Sequence, residues 1–218
     1  MPSGTEEPFE EFTEEPNTVS EPKKDIEKED IEIAGCSFSI YPLNANYIEI
    51  IRSALDSVDL SKVWSKTDDV STVIRGRISH VFSISKDVFL QAAQTGEHVT
   101  LRATYSIGCP GDDSGDVKME ENHEPVKTST DISRPVSVKF ALYPLGGKGN
   151  YIEIIKNQIE AVKEQDISVT VEHYETRLEG DAEKIFNSLE KVFRNSEMSG
   201  SVHTVMTVTM VAHNIENR

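Results

Sequence analysis

The sequence predicts an α+β chain, a tandem repeat of two ferredoxin-like (βαββαβ) domains with antiparallel sheets. Three observations carry that prediction. The 218 residues suffice for two domains of about a hundred residues each. The segment FSIYPLNANYIEIIRSALD from Phe38 returns as FALYPLGGKGNYIEIIKNQIE from Phe140, and self-similarity at one spacing marks a duplicated structural unit. Within each copy, β-rich runs and helix-periodic segments follow in the order strand, helix, strand, strand, helix, strand.

The offset between copies is 102 residues across Tyr-Pro-Leu and 104 from Asn46 and Asn150 onward, because the second copy has two extra residues in a Gly-rich turn. At the 104 offset Thr72 meets Thr176, Gly76 meets Gly180, Phe82 meets Phe186, Phe89 meets Phe193 and Gly96 meets Gly200. Residues 1–33 hold twelve acids against three lysines and few apolar side chains. Such a segment cannot bury enough surface to offset its ordering entropy, so it reads as a disordered acidic tail.

The first repeat spans 34–110. In SFSIYPL, alternation puts Phe38 and Ile40 on one face and Ser39 and Tyr41 on the other. Ile48, Ile51 and Leu55 then recur at helical spacing. KVWSKTDD and VSTVIRG are two extended runs joined at Asp68-Asp69, a hairpin composition. From Ile78 to Gln94, Val81, Phe82, Val88, Phe89 and Ala92 form one helical stripe, stopped by Thr95-Gly96. HVTLRATYSI closes the repeat as a strand. Residues 111–132 form an acidic linker rich in Pro, Gly and Ser. The second repeat, 133–218, has strands near Val136–Leu142, Ser168–Glu172, Glu175–Gly180 and Val202–Val211, and helices near Asn150–Lys163 and Asp181–Ser196. Its last strand is apolar on both faces, which predicts that the two repeats pack on each other and that the chain forms a homodimer.

The formal charge is −16. That field disfavours nucleic acid and anionic membranes as partners. No run reaches the length of a membrane helix, so no membrane insertion is expected. Two cysteines without CxxC spacing and a start lacking signal-peptide character point to the cytoplasm. Tail and linker carry nearly all the negative charge and leave the repeats close to neutral. A preference for a cationic ligand must therefore rest on local carboxylates such as Glu175.

Signatures of catalysis are missing: no phosphate-binding glycine loop, GxSxG, HExxH or GxGxxG stands in the chain. The chain reads as a non-enzyme without a metal, since its six histidines show no ligand spacing. GDDSGD, from Gly111, lacks the remainder of a calcium loop and reads as an acidic turn. Cys109, at a strand end, and Cys36, just before the first strand, read as structural. Threonine recurs at one place in both copies. Alternation sets Thr72 with Val70 and Ile74, and Thr176 with Tyr174 and Leu178, on the helix-covered face. A hydroxyl there must find a partner, either a nearby carbonyl or a small polar ligand held once per repeat. A planar heterocycle with ring nitrogens and an amine suits the second reading. Tyr41, Tyr143, Tyr174 and Trp64 are its aromatic candidates, with ordinary packing as the alternative. Glu175, Asp68 and Asp69 either attract a cation or are solvated turn charges.

SKVWSKTDDVSTVIRGRISHVF, from Ser61 to Phe82, YSIGCPGDDSGD, from Tyr105 to Asp116, and the doubled Tyr-Pro-Leu closely resemble the YkoF family of thiamin/hydroxymethylpyrimidine-binding proteins. The resemblance covers about 34–213; the acidic tail departs from it. It implies a homodimer whose two repeats each bind thiamin or its hydroxymethylpyrimidine moiety without chemistry. It also implies a soluble component linked to an ABC-type transporter for uptake or salvage, with no cofactor besides the ligand. Thr72 follows from the motif and Thr176 from the internal repeat. Ser71, Ile40, Tyr41, Leu142, Tyr143, Tyr174 and Glu175 follow from neighbourhood. The second repeat diverges, with Glu175 in place of Ser71 and Glu179 in place of Arg75. An ACT-like regulatory module sensing another small metabolite is the alternative, and an enzyme of thiamin salvage is a third reading that the absent signatures disfavour.

Overall fold

The computed structural model describes residues 33–109, 132–146, 167–198 and 201–212. The acidic tail, the linker with GDDSGD and the helix expected near Asn150–Lys163 lie outside the described residues, as does the Gly-rich turn after Gly146. The first repeat runs β1 (Ile33–Pro42), α1 (Tyr47–Asp56), β2 (Trp64–Thr67), β3 (Thr72–Arg77), α2 (Ile78–Ala93) and β4 (Val99–Ile107). The second runs β5 (Pro135–Leu145), β6 (Ser168–Val171), β7 (Thr176–Asp181), α3 (Ala182–Met198) and β8 (His203–Ala212).

All strands pair antiparallel in one eight-stranded sheet of order β2-β3-β1-β4-β8-β5-β7-β6. Each half is a split βαβ sheet, so the tandem ferredoxin-like prediction holds. The halves do not stack face to face, however. They join through their last strands, with β4 and β8 paired from Val99↔Ala212 to Ile107↔Thr204. Ala103 and Val208 meet at the midpoint, and each also pairs with the equivalent phenylalanine of its own repeat, Phe38 or Phe140. The join thus has the self-complementary form of a two-fold interface inside one chain. Edge pairing satisfies backbone donors and acceptors that sheet stacking would leave open at the centre.

The helices cover one face. Ala34, Cys36, Phe38, Ile40, Ile74, Leu101, Tyr105, Val138, Phe140, Leu178, Met206 and Met210 point into that core. Phe82 stacks on Tyr105 with centroids 4.2 Å apart and planes 4° off parallel. Ring contacts in the helical layer help tie the repeats together: Phe82 meets Phe193 at 5.7 Å, and Phe89 meets Phe186 at 6.3 Å. Because Phe82 and Phe186 are equivalent, as are Phe89 and Phe193, these are one contact made twice.

Several details correct the sequence reading. α1 buries Ala54 and half-buries Ile50, Ile51 and Leu55, whereas Ile48 is 52% exposed. The isoleucines at 48, 50 and 51 admit two stripes, and packing selects the one centred on small Ala54. α2 is not a one-sided amphipathic helix: His80, Ser85, Lys86 and Asp87 are buried with its apolar residues. It touches α1 on one side and α3 on the other, besides the sheet beneath. Cys36 stands within β1, not before it, and is buried. Val70, Tyr174 and Val202 lie outside the strands, at 72%, 96% and 70% exposure, while Thr72 and Thr176 open β3 and β7. Gly76 is required by close approach, since a Cβ there would stand 2.9 Å from Val63 Cγ1.

Candidate functional site

In the first repeat, the C-terminal end of β1, helix α1 and the β2–β3 turn enclose a cavity of about 420 Å³. Its walls include Ile40, Tyr41, Pro42, Leu43, Tyr47, Ile51, Leu55, Thr67 and residues 68–72. The turn is built by Asp68. Its Oδ1 accepts the backbone N–H groups of Val70 and Ser71, each at 2.9 Å, while its own N–H donates to the Ser71 carbonyl at 3.0 Å. Those two amides hold the Asp68 carboxyl below its ordinary range. Ser39 Oγ then donates to the Val70 carbonyl at 2.7 Å, and Ser37 Oγ to Ser71 Oγ at 3.2 Å, which fastens the turn to β1. At the floor Thr72 is 5% exposed, and its Oγ1 lies 3.0 Å from Thr67 Oγ1.

The second repeat places a cavity of about 580 Å³ at the equivalent point. Phe140 to Leu145 of β5, Val171 of β6, and Glu172, Tyr174, Glu175 and Thr176 line it. Thr176 is 6% exposed and sits opposite Phe140, as Thr72 sits opposite Phe38. The fastening differs. Lys139, in the place of Ser37, pairs with Glu172, and Ala141 replaces the hydroxyl of Ser39. Tyr174 takes a left-handed backbone, φ 72°, at the tip of the turn, a conformation uncommon outside glycine.

All nine sequence candidates border these cavities: Ile40, Tyr41, Ser71 and Thr72 in the first, Leu142, Tyr143, Tyr174, Glu175 and Thr176 in the second. Trp64 does not; it lies on β2 opposite Arg75. Asp68, read as a ligand carboxylate or a solvated charge, lines the first cavity and also accepts the two amides that shape its turn. The sequence reading passed over Thr67, Leu43, Tyr47, Val171 and Leu145. The doubled Tyr-Pro-Leu contained the two leucines, but assigning Thr67 and Val171 requires the β2–β3 and β6–β7 registers. Ten large apolar residues are exposed among the described residues, and eight line one cavity or the other. Exposed apolar surface concentrated at two concave places marks contact with something else.

Among the described residues no three His, Cys, Asp or Glu side chains gather as metal ligands. Burial pushes the Cys36 thiol far above its usual range, and Cys109 is exposed just beyond β4. His203 Nε2 is 3.0 Å from Ser106 Oγ on the open sheet face. No described helix is long and apolar enough to cross a membrane.

A buried threonine under a ring of aliphatic and tyrosine side chains, made twice by one repeated unit, defines a tandem ferredoxin-like chain with a cavity in each half. The chain belongs to the YKOF-related family, whose pattern matches residues 33–112 and again 135–214. Over 129 residues it is 40% identical to YkoF of Bacillus subtilis (strain 168), to which its name attributes HMP/thiamine binding. That match covers 58% of this chain and 64% of the relative's length. Among solved structures, a Bacillus cereus domain of unknown function, DUF77, is 18% identical with a TM-score of 0.35, covering 38% of this chain and 79% of its own. The hypothetical protein MJ1052 of Methanocaldococcus jannascii is 21% identical with a TM-score of 0.35, covering 39% and 86%.

Proposed function

We propose that each repeat binds thiamin or its hydroxymethylpyrimidine moiety and returns it unchanged. The observation that carries this reading is the recurrence of one cavity, with a buried threonine at its floor, in both halves of a YKOF-related chain. An aminopyrimidine offers ring nitrogens and an amine to Thr72 or Thr176 and to strand backbone. Its flat faces suit Ile40, Tyr41, Leu142 and Tyr143, with Ser71, Tyr174 and Glu175 at the rim. The thiazolium charge of thiamin is favoured by Asp69 and Glu175 at short range.

The open sheet face carries short side chains such as Ser37, Thr104, Val205 and Thr207, which suit a second copy laid across it in a homodimer. A cytoplasmic role beside an ABC-type transporter in uptake or salvage extends the same reading.

Titration calorimetry with thiamin and with hydroxymethylpyrimidine should show saturable heats. Thr176→Val should weaken one class of site and leave the other. Heat-free titrations, with no rise in melting temperature from either ligand, would sink the proposal, and light scattering that returned a monomer would remove the homodimer.

A further inference from the structure

The two cavities share their shape but not the state of their threonine hydroxyl. In the first repeat Thr67 stands across the β2–β3 pair from Thr72, and the two Oγ1 atoms lie 3.0 Å apart. At the equivalent place in the second repeat, Val171 stands across from Thr176. Among the described residues the Thr176 hydroxyl has no hydrogen-bond partner; the residue is 6% exposed, and its oxygen, which is not one of the buried unpartnered atoms, opens onto the cavity of about 580 Å³.

A hydroxyl that opens onto a cavity without a protein partner keeps both its donor and its acceptor for whatever enters. Val171 is isosteric with threonine but supplies neither donor nor acceptor. The first repeat shows that threonine is accommodated at this point of the fold. We infer that Val171 is a specificity-determining residue: it keeps the Thr176 hydroxyl open, with donor and acceptor both available to a nitrogen heterocycle, while Thr67 occupies part of the same capacity at Thr72. The second site therefore depends on its hydroxyl for recognition and the first site much less. This rests on the pyrimidine-binding reading for the ligand, but the state of the hydroxyl does not.

The unliganded protein tests the hydroxyl alone. Thr72→Val breaks a pair and should lower the melting temperature, whereas Thr176→Val removes an unpartnered group and should leave it unchanged or raise it. Val171→Thr supplies the missing partner and should raise it too. Calorimetry with thiamin and hydroxymethylpyrimidine then tests recognition. Thr176→Val should weaken the second site about tenfold, Val171→Thr several-fold, and Thr72→Val should change the first site less than about threefold.

Equal falls in melting temperature for Thr72→Val and Thr176→Val would overturn the inference whatever binds. So would a second site indifferent to Val171→Thr. Opposed melting shifts without heat from either pyrimidine would uphold the open hydroxyl and remove only the pyrimidine reading.

Discussion

At the scale of single residues, the duplication turns one chain into its own control. Asp68 and Glu172 occupy the same place, yet Asp68 caps its turn by accepting two backbone amides, whereas Glu172 is held by Lys139. Stabilised by hydrogen bonds to its charged form, the Asp68 carboxyl titrates below its ordinary 3.8. A lowered carboxyl contributes to folding above its ordinary value and loses that contribution as pH falls through the folded-state value. The Val70 and Ser71 amide resonances should therefore shift together on acidification, with a midpoint below 3.8. A midpoint at or above that value would show that the cap does not form in solution. Thr72 and Thr176 were legible in the sequence because alternation and duplication each place them on the covered face. Their different hydroxyl environments were not, because Thr67 and Val171 become neighbours of those threonines only through strand register.

At the scale of elements, helix α2 shows how far periodicity reaches. Its apolar stripe was legible and all five stripe residues are buried. The setting of buried Lys86 was not, because its partner stands on α3, contributed by the other repeat. Lys86 Nζ reaches Glu183 of α3 at 2.6 Å, a partner 97 residues away that no local pattern indicates. The aromatic contacts between these helices should hold the halves together. Phe89 and Phe186 are each buried, so truncation of either to alanine removes packed surface and leaves a cavity, at a cost of about 3–5 kcal/mol. Since the rings touch each other, the double variant should cost less than the sum of the singles, by about 0.5–1.5 kcal/mol. Strict additivity in denaturant unfolding would mean that α2 and α3 do not share this contact.

At the scale of the whole molecule, two repeats of about a hundred residues could fold as independent beads or as one body, and the two outcomes differ at β4 and β8. The sequence showed β8 to be apolar on both faces. That pattern is compatible with stacking one sheet on another and with central placement in a wider sheet, because both bury both sides of a strand. The observed answer is central placement: helices cover Thr204, Met206, Val208 and Met210, while Val205, Thr207 and Val211 are half-buried on the open face. The β4–β8 pair then makes a continuous ladder, and Phe82–Phe193 and Phe89–Phe186 continue the same join in the helical layer. Separating the halves would strip a whole strand edge of its partners and expose four core phenylalanines, so neither half should unfold while the other stays native. Trp64, the single tryptophan, stands in β2 at the far edge of the first repeat and reports on that repeat alone. Far-UV circular dichroism reports on both. In urea the two signals should fall together, with one midpoint and one slope. A tryptophan transition clearly separated from the dichroism transition would show that the repeats unfold independently and that the central ladder is weaker than its length implies.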